Sequence, residues 1–153
     1  MWQALNEELG PRGFTVVTVA LDRSPEDARP WIEAAKPTHP SLIDVRHVVA
    51  DLYNMVNVPT VLWIDERGRI ARPNDVAFGT DTFKHITGLE SAKPLAAVRA
   101  WVRGEVPALG EARARQLQPL PTAAHQQARA ELSLGQWLYE QGSPAAAERH
   151  FVQ

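Results

Sequence analysis

Asn57-Val58-Pro59-Thr60 runs directly into Val61-Leu62-Trp63-Ile64, and this proline step constrains the fold more than any other stretch of the chain. Four successive apolar residues suit a strand covered on both faces. Asp65-Glu66-Arg67-Gly68 supplies polar turn residues, with Gly68 free to take a positive φ. Arg69-Ile70-Ala71-Arg72 then alternates polar and apolar up to Pro73, the pattern of an edge strand that ends at a proline. Pro59, at the mouth of a central strand, has no N–H to give to a ladder. A cis bond in a tight turn is the usual structural reason for such a proline. A trans proline at a strand entrance is the commoner arrangement, but the hairpin around Pro59 favours cis.

Periodicity sets out the neighbouring elements. Trp2, Leu5 and Leu9 recur at helical spacing, and Gly10-Pro11 stops that helix. Phe14 to Leu21 is β-branched and apolar, as a buried parallel strand would be. Ser24-Pro25-Glu26-Asp27 joins an N-cap, a proline at the first helical position and an acidic residue at the third. The helix that follows is expected to bury Ala28, Trp31, Ile32 and Ala35, with Pro30 placed to kink it. Asp44 reads as the N-cap of a helix carrying Val45, Val48, Val49, Leu52, Tyr53 and Val56 on one face. Beyond the hairpin, Pro73 to Lys93 is mixed, with Gly79 and Gly88 as breaks, and Leu95, Val98, Trp101 and Val102 make a further helix before Gly104.

The resulting order is helix, strand, helical insert, helix, strand, strand, helix. Together with Val58-Pro59-Thr60 it resembles the thioredoxin-like superfamily, in particular redoxins of the TlpA/ResA type, relatives of the AhpC/TSA peroxiredoxins. The resemblance covers roughly Met1 to Gly104. The residues from Asp22 to Asp44 sit where that group carries an insert between strand and helix. It implies an α/β fold, a thioredoxin-like three-layer sandwich, and a thiol–disulfide oxidoreductase or peroxidase-like parent active in cell redox homeostasis. It also implies that Val58, Pro59 and Thr60 position an extended peptide substrate through backbone groups.

The chain contains no cysteine, which excludes disulfides, thiolate metal sites and thiol catalysis together. In the family a strand and a Trp-Cys-x-x-Cys turn precede the first helix, whose dipole and free N–H groups lower the thiol pKa. Met1-Trp2 already falls inside the corresponding helix, so the first strand and the active-site turn are expected to be missing by truncation. That strand normally lies between Phe14–Leu21 and Val61–Ile64. Without it the two strands must pair directly, take a strand from another chain, or fold only in part. Direct pairing is the expected outcome for a single chain, and it should leave apolar surface exposed near Trp2 and Leu5.

Past Gly104 the composition changes. Residues 104–122 carry Gly104, Pro107, Gly110, Pro119 and Pro121 and read as a linker, with a helical turn around Glu111–Leu117. Ala128 to Phe151 is helical on both sides of Gln141-Gly142-Ser143-Pro144. The spacing Leu134-Gly135, Leu138, Gly142, Ala147, Phe151 resembles one tetratricopeptide repeat, cut short at Gln153. A simple helical hairpin packing on the first domain is the equal alternative. The expected domains are therefore 1–103 (redoxin-like), 104–122 (linker) and 123–153 (helix pair).

Composition excludes several functions. A net charge of −2 argues against a general nucleic-acid binder, and no apolar run approaches a membrane span of about 20 residues. Met1-Trp2-Gln3-Ala4-Leu5 lacks a signal-peptide layout, although the family is often extracytoplasmic, so the compartment stays open. His39, His47, His85, His125 and His150 show no metal-ligand spacing, and neither a metal nor another cofactor is expected. Asp44 and Asp65 read as a cap and a turn residue, Asp51 as polar surface, and Trp2, Trp31, Trp63, Trp101 and Trp137 as core. Three readings remain. The chain is an inactive redoxin-like domain whose parent acts on a protein or peptide thiol or disulfide client. Alternatively it is a non-catalytic binding module using the proline loop or the helices. Or it is a scaffold in which the C-terminal helices begin a repeat array and meet a protein partner.

Overall fold

Trp2, Leu5 and Leu9 share one face of α1 (Trp2–Leu9) in the computed structural model, which describes residues 1–76, 81, 84–88, 90–118 and 120–152. Gly10–Arg12 forms a 3-10 turn, and Gly13 closes it at φ 80. The chain divides into two units, Met1–Gln118 and Pro119–Gln153.

In the first unit, β1 (Thr18–Ala20) and β2 (Ser41–Ile43) pair in parallel, Thr18 opposite Ser41, and the two hydroxyls are hydrogen-bonded at 2.9 Å. Only three residues of the expected Phe14–Leu21 strand join this ladder. Val16 is buried, but its N–H donates to Asn6 Oδ1 of α1 at 2.9 Å instead of to a strand, and Val17 is exposed. Between the two strands lies α2 (Pro25–Ala35), N-capped at Ser24, with Pro30 inside it. Its expected apolar face is not a buried one. Ala28 is buried and Ile32 half-buried, whereas Ala35 is exposed and Trp31 is 79% exposed.

The helix expected from Asp44 is also corrected. α3 (Val48–Leu52) has five residues and begins after His47, whose φ of 56 interrupts helical geometry. Asp44 still accepts from the first free amides, Val48 N at 2.9 Å and Val49 N at 2.7 Å. Ala50 is the buried residue of α3, while Val45, Val48, Leu52 and Val56 are exposed.

β3 (Thr60–Ile64) and β4 (Ile70–Val76) form the expected antiparallel hairpin. Asp65 Oδ1 accepts from Arg67 N and Arg69 N and so holds the turn, with Gly68 at φ 74. The second strand does not stop at Pro73. It continues to Val76 because the register shifts twice, so that seven residues of β4 face five of β3. A bulge takes the donor-free proline out of the ladder.

The β1–β2 and β3–β4 pairs are separate sheets among the described residues. The expected direct pairing of the Phe14–Leu21 and Val61–Ile64 strands is therefore not made, and neither strand is central, each having a partner on one side. The core lies on the hairpin side. Leu5 and Leu9 of α1 pack with Trp63, Ala71 and Val98, the last from α5 (Ala92–Val102). Trp63 and Trp101 lie with ring centroids 5.2 Å apart, and the Arg72 guanidinium sits 4.2 Å over the Trp63 ring. Leu5 is 2% exposed and Trp2 packs against the core, so the exposed apolar surface falls around α3 instead of near α1.

Glu8 and Arg99 clip α1 to α5 through paired bonds, Arg99 Nε to Oε1 at 2.7 Å and Nη2 to Oε2 at 2.8 Å. The Arg99 hydrogen bond holds the Glu8 carboxyl below its usual range, and the Arg69 amide does the same for Asp65. A carboxyl with a lowered folded pKa stabilises the fold fully above its unfolded value and loses that contribution as pH falls through the lowered one. Denaturant midpoints should therefore drop below about pH 4, the ordinary carboxylate range. Glu8→Gln combined with Asp65→Asn should flatten that drop, and an unchanged profile would contradict it.

After α4 (Lys84–Thr87), where Gly88 takes φ 67, the chain reaches α5 and then α6 (Glu111–Leu117). Gly79 lies outside the described residues. Most of the stretch expected as a linker packs on the first unit: α6 lies against β4, and Leu109 N donates to Ala71 O at 3.0 Å.

The second unit is a helix pair, α7 (Ala123–Glu140) and α8 (Pro144–Phe151). Thr122 caps α7 by accepting from His125 N, so the helix begins earlier than Ala128. Gly142 at φ 75 makes the turn. Ala147 is fully buried, and the Phe151 ring lies so close to Gly135 that a Cβ there would sit 2.6 Å from Cε1. Trp137, expected in the core, is 55% exposed.

Candidate functional site

The proline loop joins α3 to β3. Asn74 Nδ2 of β4 donates to Tyr53 O at 2.9 Å and to Asn54 O at 3.2 Å, and Gln118 Nε2 donates to Tyr53 O at 2.7 Å. These bonds fix the chain where it leaves α3, at Asn54, whose φ is 49. From there the chain runs out through Val56 to the Val58–Pro59 bond, which is cis. Val58 is 67% exposed, and Pro59 is exposed with it. Thr60 is half-buried, and its Oγ1 donates to Asn57 O at 2.5 Å. The Thr60 hydroxyl thus closes the loop on itself, leaving the Val58 side chain and the Pro59 ring to meet solvent.

Val58, Pro59 and Thr60 are brought to one exposed corner, at the N-terminal end of β3. The sequence reading missed Asn74, Asn54 and Gln118. The signal for Asn74 was present in the Pro-Asn pair of an edge strand, a combination suited to a bulge. Asn74 Oδ1 is buried and has no hydrogen-bond partner among the described residues.

Three histidine rings are engaged elsewhere, His125 Nδ1 lying 3.2 Å from Thr122 Oγ1. His39 is buried, with Nδ1 3.2 Å from Pro40 O. His150 Nδ1 lies 2.6 Å from Glu131 Oε2 and ties α8 to α7. This pair borders an open groove of about 550 Å³ lined also by Gln127, Ala128 and Phe151. Among the described residues no group of three or more His, Asp or Glu is placed to hold a metal ion. No helix among them is long and apolar enough to cross a membrane.

No protein-family model, curated protein or solved structure matches this chain.

Proposed function

We propose that residues 1–103 are a redoxin-like domain of thioredoxin-like build, without thiol chemistry, that binds an extended peptide or protein segment at Val58-Pro59-Thr60. The single observation carrying this reading is the exposed Val58–Pro59 corner at the head of β3, with the Thr60 hydroxyl already engaged by Asn57 O. An extended peptide there would meet an exposed apolar side chain and proline ring at the head of a strand, features that strand-like recognition can use. The order of elements supports the thioredoxin-like part: α1 and α5 cover the β3–β4 hairpin, while β1 and β2 pair in parallel around a helical insert. The client would be a protein or peptide, reached without a metal or other cofactor.

The absence of cysteine makes the catalytic half of the family's behaviour impossible for this chain. Insulin reduction and peroxide consumption should both match the buffer blank. Binding should remain: amide shifts on titration with a panel of extended apolar peptides should centre on Asn57, Val58 and Thr60. Val58→Asp should abolish them while leaving the circular dichroism spectrum unchanged. Turnover by pure protein, or shifts that ignore Val58→Asp, would overturn the proposal.

A second reading rests on the helix pair. Leu132, Leu134, Trp137 and Tyr139 are exposed along α7, as expected if a tetratricopeptide-like pair meets a protein partner or a further helix. Peptide shifts confined to residues 123–152 would favour that reading over the proline loop.

A further inference from the structure

The β4 edge away from β3 is closed by the chain's own segment 104–118, and the closure is thin. Ile64 faces Ile70 and Trp63 faces Arg72, so Ala71 is left without a partner on β3. Its carbonyl accepts instead from Leu109 N at 3.0 Å. The other end of the segment is fastened by Gln118 Nε2 on Tyr53 O at 2.7 Å. Between these bonds little is buried. Leu109 and Ala114 are half-buried, while Glu111, Ala112, Arg113, Arg115, Gln116 and Leu117 are exposed. Pro73 on the edge and Pro107 on the segment both lack an N–H, which limits any ladder between them. At the start of the segment, Gly104 with φ 73 ends α5 in a left-handed turn that Glu105 N holds by donating to Ala100 O at 2.9 Å, a bond that opening must break.

We propose that residues 104–118 are an exchangeable strap, which opens at Gly104 and closes on the β4 edge of a second copy of the chain. The occupant follows from the bonds. This segment satisfies the Ala71 carbonyl and, beside Asn74, the Tyr53 carbonyl, and a second copy offers the same donors to the same acceptors. The closed and exchanged forms then contain the same contacts, so concentration decides between them. Release leaves an open strand edge, the kind of surface that invites pairing between chains. The inference does not rest on peptide binding at the proline loop, although the Gln118 bond that the strap releases also braces the chain where it leaves α3.

The cysteine-free background makes the test clean. Full-length chains carrying Ala71→Cys or Leu109→Cys alone are mixed, held at high concentration, diluted and oxidised. Exchange predicts a cross-linked species containing one of each chain, increasing with holding concentration. An internal disulfide in the double variant, with none between mixed single variants at any concentration, would overturn it. If neither cross-link forms, native hydrogen exchange with sedimentation decides. Leu109 exchanging at least about tenfold faster than the β3 amides, with a dimer at high concentration, supports the strap. Leu109 exchanging as slowly as β3, or a monomer at every concentration, rejects it.

Discussion

Trp63→Ala should unfold most of what holds the first unit together. The indole is buried among Leu5, Leu9, Ala71 and Val98, with Trp101 5.2 Å away and the Arg72 guanidinium over its face. Truncating a buried large aromatic typically costs about 3–5 kcal/mol, against a total stability of roughly 5–15 kcal/mol for a domain. The thermal midpoint should fall by about 10–20 °C, with loss of the exciton-like near-UV signal of the indole pair. Trp31→Ala provides the contrast, because that ring is 79% exposed and its removal should cost no more than about 0.5 kcal/mol. Equal losses in the two variants would mean that α2 packs on something the fold described here does not include.

Gly135→Val should pry apart the C-terminal helices. A Cβ at Gly135 would lie 2.6 Å from Phe151 Cε1 and 2.9 Å from Cδ1. Overpacking of this kind costs about 1–3 kcal/mol, whereas Gly→Val returns only a few tenths in helix propensity, so the clash wins. Alanine is less decisive, since its propensity gain of up to about 1 kcal/mol offsets much of the clash. The amides of α8 should lose exchange protection in Gly135→Val, and Phe151→Ala added to it should recover part of the loss. Undiminished protection would show that the half-exposed Phe151 ring swings aside at no cost.

How much of this was legible in the sequence differs by element. The hairpin was, because Val61–Ile64, the Asp65–Gly68 turn and Pro59 each constrain the backbone locally and agree with one another. The Gly142 turn was legible for the same reason, whereas the approach of Gly135 to Phe151 was read only from the repeat-like spacing of the two helices. The buried faces of α2 and α3 were not. Periodicity says that Trp31 or Val48 and Leu52 share an apolar face, but not that anything lies there to cover it. β1 is short because its length depends on having a neighbour on each side, which no local pattern encodes. The continuation of β4 past Pro73 was hidden because a bulge is a property of two strands in register, not of either one. At the proline loop, Val58, Pro59 and Thr60 could be named from the sequence. The side chains that brace the loop's approach, Asn74 and Gln118, come from distant positions: the Pro73-Asn74 pair hints at a bulge but not at its partner, and Gln118 carries no motif. Asn6 and Gln3 are similar cases, polar helix residues that cap the backbone of neighbouring segments at Val16 and Thr38.

The thioredoxin-like reading stands or falls on the space between β1 and β3. Each of these strands is paired on one side only, to β2 and to β4, and they belong to separate sheets among the described residues. A thioredoxin-like order requires one strand position between them, placing the two roughly 10 Å apart, two strand spacings. Amide and Hα nuclear Overhauser effects across Val17–Val19 and Val61–Trp63 measure this directly. The proposed architecture predicts none between β1 and β3, beside clear cross-strand effects from Thr18 to Ser41 and from Trp63 to Arg72. A continuous ladder of effects joining β1 to β3 would contradict it.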